Sequence, residues 1–460
     1  MTARTSGRTT AFLLAALLAL GACTGGGGAP AENATDSGAP LVIASGRDVT
    51  GKGGIREKLI KEWNARPGNT HQARLVELPG SADQQRGQLL GALQSGSARY
   101  DVVNLDVTWV PEFAEAGLVQ ELDASLVDDD VIDSVARTAR WDDKTYSVPF
   151  NTDVGLLYYR RDHLERAGVQ SKNTRLDENT TWSEVRDLIR TVEQADLPGV
   201  EAGWTTQLAP YEGLTVNGVE AFSSVLAQGL TDDHGRYTAT VSGLEDGIEE
   251  LRDRTESSYL LPDATGSDEA ASLTAFINGR TTFLRHWPYA YGTLHQSLTP
   301  DRLGVAPLPG KAVLGGQNLA VTTSATGARA EAARDLISFL TDPQSERCLL
   351  DAGFAATRES AYTDDKVSCR LPAASGPSPS AESADRMPRQ DGRPQYARTT
   401  LLTALRDEAV ARPRTPHYGA FTQTFTTHLS RLFGDTPPTP KELARQLDEA
   451  LRHALPDPSP

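Results

Sequence analysis

The sequence predicts an α/β protein with a mostly parallel sheet and a second body joined to the first. Two stretches carry this reading. From Leu41 to Leu105, strand-like apolar runs alternate with segments of helical periodicity, the pattern of parallel strands covered by helices on both faces. From Tyr146 to Arg160, YSVPFNTDVGLLYYR, two runs rich in β-branched and aromatic residues flank the polar triad Asn151-Thr152-Asp153. That pattern reads as a segment that leaves one sheet and enters another. Pro149 suits a sheet exit, because it holds its predecessor extended and gives the ladder no donor. A hinge at the triad would put Asn151 and Asp153 in a crevice between two bodies. A surface loop between two strands of one domain fits this stretch equally well.

In chain order, residues 1–22 have the form of an export signal: Arg4 and Arg8, the apolar run Ala11 to Leu20, then small residues before Cys23. The run is too short for a membrane-spanning helix. Leu20-Gly21-Ala22-Cys23 looks like the lipobox of bacterial lipoproteins, implying cleavage before Cys23 and its acylation; a chance cysteine behind a plain secretory signal is the alternative. Residues 23–40 form a glycine-rich tether that cannot build a core. Removing 22 of 460 residues leaves 438, enough for two or three domains. Loss of Arg4 and Arg8 takes the formal charge from −16 to −18, which argues against binding nucleic acid or anionic lipid through charge. No later apolar run is long enough to cross a bilayer, so a channel or permease is not expected. Cys348 and Cys369 are an even pair and in an exported protein most simply a disulfide, with two free buried thiols as the alternative. No histidine cluster accompanies them, so neither a zinc site nor any cofactor is expected.

The first unit runs strand (Leu41 to Ala44), turn (Ser45-Gly46-Arg47-Asp48), then a helix carrying Ile55, Leu59, Ile60 and Trp63. A strand over Ala73 to Leu78, a helix with Leu89, Leu90 and Leu93, and a strand over Tyr100 to Leu105 follow. Ligands of such sheets sit beyond the carboxyl ends of strands, which selects Arg47-Asp48 and the loop Asp106 to Trp109. Asp106 alone is equally a solvated turn residue; Trp109 three positions on favours a site. Pro111 to Gly117 reads as a short helix with proline in its first turn and glycine past its end. A helix around Val127, Val131 and Val135 is expected next. Later helices are expected over 328–341, from a cap at Asp342 to Gly353, and near 396–411, 420–433 and 441–455, with 372–394 an exposed insertion.

YDVVNLDVTWVPEFAEAGLVQELD followed by YSVPFNTDVGLLYYRRDHLERAG resembles the extracellular solute-binding proteins of ABC sugar importers, the group that includes maltose- and trehalose-binding lipoproteins. YEGLTVNGVE (211–220), AFINGRTTFLRHWPYAY (275–291), LGVAPLPG and GGQNLAV (303–321) and ARPRTPHY (411–418) extend the resemblance over nearly the whole mature chain. It implies a two-lobed periplasmic-binding-protein-like fold of type II, with a ligand cleft between lobes joined by three crossings. The expected division is 41–149 with 298–355 as lobe 1 and 150–297 with 356–460 as lobe 2. It further implies a monomer on a lipid anchor at the outer face of the cell membrane, with no catalysis, delivering a maltose- or trehalose-like sugar to a membrane permease.

A sugar offers a ring of hydroxyls, each wanting a partner, and C–H faces that pack on an aromatic plane. Trp287, held extended by Pro288, is the expected stacking platform, with a core tryptophan as the alternative. Polar contacts are expected from Asp106, Asn151, Glu212 and Arg412 or Arg414, and close backbone approach from Gly315 and Gly316. Arg47, Asp48, Trp109 and Tyr211 form a second tier for which surface or packing roles are equally open. His286 reads as a wall residue, and the loose match at 204–210 leaves its subsite open. Two other classes stand as alternatives: a glycoside hydrolase with two carboxylates facing one bond, and a same-fold receptor for a non-sugar. Tyr158 and Tyr159 point to opposite strand faces and cannot ligate one ion.

Overall fold

The structure is a computed structural model describing residues 38–46, 54–97, 99–170, 175–371 and 387–456. The signal-like segment, Cys23, most of the tether, Arg47, Asp48 and most of the 372–394 insertion lie outside these residues. Strand β1 (Leu41–Gly46) pairs in parallel with β2 (Ala73–Leu78) on one side and β3 (Val102–Asp106) on the other. A hairpin of β4 (Arg140–Trp141) and β5 (Lys144–Thr145) precedes β6 (Val148–Val154), and β7 (Leu156–Arg160) follows one residue later. With β8 (Ala202–Thr205), β9 (Thr281–His286) and β10 (Leu303–Pro307), β7 builds a four-stranded sheet in the order β10-β7-β9-β8. Strand β11 (Ala312–Val321) lies antiparallel to β3 and β6 in the six-stranded sheet. A hairpin of β12 (Arg389–Gln390) and β13 (Arg393–Pro394) follows, and β14 (Ala409–Val410) runs parallel to β11. The molecule is a two-lobed α/β protein, with the six-stranded sheet in one lobe and the four-stranded sheet in the other.

Local chemistry accounts for the helices that cover these sheets. Helix Ile55–Asn64 buries Ile55, Leu59, Ile60 and Trp63, the expected apolar stripe. Helix Trp182–Gln194 begins in a capping box: Glu184 N–H donates to Thr181 Oγ1 at 3.2 Å and Thr181 N–H to Glu184 Oε2 at 2.8 Å, an arrangement in which the cap alone contributes about 1 kcal/mol. Cys348, on helix Pro343–Asp351, is disulfide-bonded to Cys369.

Four expectations are corrected. The sheet switch falls at Gly155, not at Asn151-Thr152-Asp153, which belong to β6 and pair with Gln317, Gly316 and Gly315. A Cβ at 155 would stand 2.4 Å from Glu220 Oε1 and 3.0 Å from Arg285 Nη2, so glycine lets the chain pass a buried ion pair. The return to the first lobe comes later than residue 298, since β10 still pairs with β7 and the chain joins β11 only at Ala312. The helix around Val127 to Val135 is instead a short turn, Ala124–Leu126, and one helical turn, Asp133–Ala136. Asp128 and Asp130 interrupt it by taking Arg358 at 2.6 and 3.4 Å, while Asp128 Oδ1 accepts Asp130 N–H. The helix expected near 396–411 is present over 397–408, but it is mostly π-helical, Ala397–Leu401 and Ala404–Glu408, and it stops where β14 joins the sheet.

Candidate functional site

Parallel strands present their carboxyl ends together, and here those ends meet at one cavity of about 860 Å³. Gly46 at the end of β1, Gly80-Ser81 after β2 and Asp106 at the end of β3 contribute from the six-stranded sheet. Ala209, Pro210 and Tyr211 after β8, and Trp287 and Tyr289 after β9, contribute from the other. Asp153 of β6 and Gly315-Gly316-Gln317 of β11 complete the wall with Glu212, Asp268, Glu269 and Arg412.

Arg412 ties the two sides together. Its Nη2 donates to Asp106 Oδ1 at 2.8 Å and its Nη1 to Glu212 Oε1 at 2.6 Å. Glu212, first residue of helix Glu212–Val225, also accepts from Tyr418 Oη, and its Oε2 accepts from Thr422 Oγ1 at 3.0 Å. Burial raises the Glu212 carboxyl above its usual range and Arg412 opposes that rise. Burial works against the Arg412 charge, but Asp106, Tyr418 and Glu212 more than restore it. A buried arginine held by two carboxylates is a fixed fork of donors at the cavity wall.

Strand alternation places Arg285 and Trp287 on one side of β9 and its extension, and His286 on the other. The Arg285 guanidinium lies 3.8 Å from the Trp287 ring centroid and is held by Glu220, with Nη2 to Oε1 at 2.5 Å. Arg285 covers one face of the indole from outside the cavity wall. Gly315 gives the ring room: a Cβ there would sit 3.2 Å from both Trp287 Cζ3 and Asp153 Cβ. Gly316 has φ +116°, and a Cβ would meet Asn151 O at 2.4 Å, so both the conformation and the space require glycine. Its carbonyl accepts Val107 N–H.

Asp153 Oδ1 is buried and has no hydrogen-bond partner among the described residues. Burial pushes its carboxyl up to about 7, against the pull of Arg56. Tyr211 donates to Glu269 Oε2 at 2.7 Å, and burial together with that carboxylate raises its phenol far above its usual range. His286 packs its Nε2 3.1 Å from Glu269 O, and burial lowers its imidazole to about 4, so it is neutral.

Asp106, Tyr211, Glu212, Trp287, Gly315, Gly316 and Arg412 are thus brought to one cavity. Three candidates are not. Asn151 is buried behind Arg56 and Gln317: Arg56 Nη2 donates to Asn151 Oδ1 at 3.3 Å and to Gln317 Oε1 at 2.8 Å. Trp109 packs into the core as the residue preceding helix Val110–Glu115. Arg414 turns away to the carbonyl of Arg140. Arg47 and Asp48 lie outside the described residues. Among wall residues, Asp268, Glu269, Tyr289, Gln85 and Gln317 escaped sequence reasoning. Tyr289, two after Trp287, carried a signal in the aromatic run WPYAY; the others reach the wall through tertiary packing. Tyr158 and Tyr159 do part: Tyr158 Oη donates to Trp287 O at 3.1 Å, while Tyr159 Oη accepts Leu176 N–H at 3.0 Å.

Residues 48–347 match the sequence profile of the bacterial extracellular solute-binding proteins. A probable ABC transporter-binding protein of Deinococcus radiodurans is 26% identical over 324 residues, covering 67% of this chain and 74% of that protein. Maltose-bound MalE3 of T. maritima superposes with TM-score 0.71 at 22% identity, over 90% of this chain and 99% of that one. The GacH receptor of Streptomyces glaucescens, solved unliganded and with acarbose, gives 0.70 at 19% identity, over 91% and 98%. With the cavity set where two sheets end and the profile matched by residues 48–347 of the 460, the chain belongs to the family of bacterial extracellular solute-binding proteins that serve ABC importers.

Proposed function

We propose that this protein captures a sugar in the cavity between its lobes and delivers it to an ABC permease without transforming it. The observation that carries the reading is the wall itself. One indole, backed by Arg285, stands beside five carboxylates, Asp106, Asp153, Glu212, Asp268 and Glu269, with Arg412 as the single cation among the described wall residues. Such a wall pairs hydroxyls with acceptors and a fixed guanidinium, while the indole takes a C–H face. The charge balance disfavours phosphate esters, which need clustered cations. Similarity to MalE3 and to GacH, solved with maltose and with acarbose, supports the sugar class. A ligand touching both lobes favours the closed arrangement that a permease would receive. The family's extracytoplasmic setting agrees with the signal-like residues 1–22, and we assign Cys23 as the lipid attachment point.

A thermal-shift screen of the mature, unlipidated protein against mono-, di- and oligosaccharides tests the reading, with phosphate esters, polyamines and iron chelates as controls. Binding to the folded state raises the melting temperature with the logarithm of ligand concentration over Kd. A shift with one sugar class, and no product after long incubation, is the expected outcome. A shift with a control ligand alone would overturn the sugar assignment and keep the fold.

A further inference from the structure

We propose that the solute carries a cationic nitrogen, as an amino-bearing sugar does, seated at the corner formed by Asp153, Trp287 and Tyr289. This rests on the sugar reading above and narrows it. Four of the five wall carboxylates already have partners within the protein. Asp106 and Glu212 hold Arg412, Glu269 accepts from Tyr211, and Asp268 caps helix Glu269–Ile277 through Ala271 N–H at 2.9 Å. Asp153 is different: its Oδ1 is buried in the wall with no hydrogen-bond partner among the described residues.

The surroundings of Asp153 suit a cation. Gly315 packs against both the Asp153 Cβ and the Trp287 ring, each 3.2 Å from the position a Cβ would take, so the two side chains flank one glycine of the wall. Tyr289 also lines the cavity. A carboxylate beside aromatic rings is the arrangement that recognises ammonium groups, by charge and through the ring quadrupole. Three arginines, Arg56, Arg285 and Arg412, act on the Asp153 carboxyl; Glu220 neutralises Arg285, and Asp106 and Glu212 neutralise Arg412. A cation seated at Asp153 would give its buried Oδ1 the partner it lacks among the described residues.

Titration calorimetry at neutral pH with two matched pairs tests this: cellobiose against the fully deacetylated glucosamine disaccharide, and trehalose against 2-amino-2-deoxytrehalose. The amine member of at least one pair is expected to bind tenfold or more tightly than its neutral counterpart. Asp153→Asn should bring that ratio close to one, and Asp153→Glu should retain it, with circular dichroism checking that both variants fold. Neutral members that match or exceed their amine counterparts in both pairs would overturn the proposal and leave the sugar reading intact. So would a preference that survives Asp153→Asn. No binding by any of the four, beside a neutral sugar that raises the melting temperature in the screen above, would likewise overturn the proposal and leave the sugar reading intact.

Discussion

Asp153 carries the clearest pH signature in the cavity. Its carboxyl stands at about 7 in the folded chain against 3.8 for the free group, so the folded state keeps a proton that the unfolded chain releases. The stability tied to that proton is present in full below about pH 4 and is lost as pH rises through about 7. Asp153→Asn should therefore melt higher than the wild type at pH 8, with the margin vanishing towards pH 4 in scanning calorimetry. A margin independent of pH would contradict the assignment. At this scale the sequence was informative where a residue type has one strong use. Trp287 before a proline, the Gly315-Gly316 pair and an arginine near the carboxyl end all reach the cavity. Asn151 does not, although it sits two residues from Asp153 on the same strand, because Arg56 and Gln317 cover it. That covering comes from distant parts of the chain, and no local pattern encodes it.

Among the elements, the switch from β6 to β7 depends on a single residue. A methyl at Gly155 would intrude on the Glu220–Arg285 pair, whose side chains are 2% and 1% exposed. Breaking a buried pair costs about 3–5 kcal/mol. Gly155→Ala is expected to lose stability of that order in urea melts; a loss within about 0.5 kcal/mol, typical of an unconstrained surface site, would show that the crossing tolerates a side chain. The disulfide joins positions 21 residues apart, a loop for which closure entropy predicts about 3 kcal/mol. Cys348→Ser should lower the melting temperature when compared with oxidised wild type and leave it level with reduced wild type; equal melting of all three would argue against the bond. Strands were legible here, since β1, β2, β3, β6 and β7 announce themselves by apolar runs. The helix expected around Val127 to Val135 was not, because valine spacing ignored the aspartates that Arg358 gathers into a turn.

For the whole molecule, Arg412 is the link to watch, since it reaches Asp106 at the end of one sheet and Glu212 on a helix packed beyond the other. Arg412→Met leaves two carboxylates facing each other without a cation, and should favour separation of the lobes. Small-angle scattering would register this as a larger radius of gyration for the ligand-free variant than for the wild type. Identical values would mean that Arg412 does not bias closure. The two-lobed plan was readable from the order of motifs, whereas the sites where the chain crosses between lobes were displaced by several residues, because pairing partners decide them. The central claim is that a sugar binds against Trp287 inside this cavity, and a fluorescence titration compares wild type directly with Trp287→Phe. A saturable change in tryptophan emission is expected in the wild type and is expected to disappear in the variant. The same saturable change in both proteins would put the ligand somewhere else.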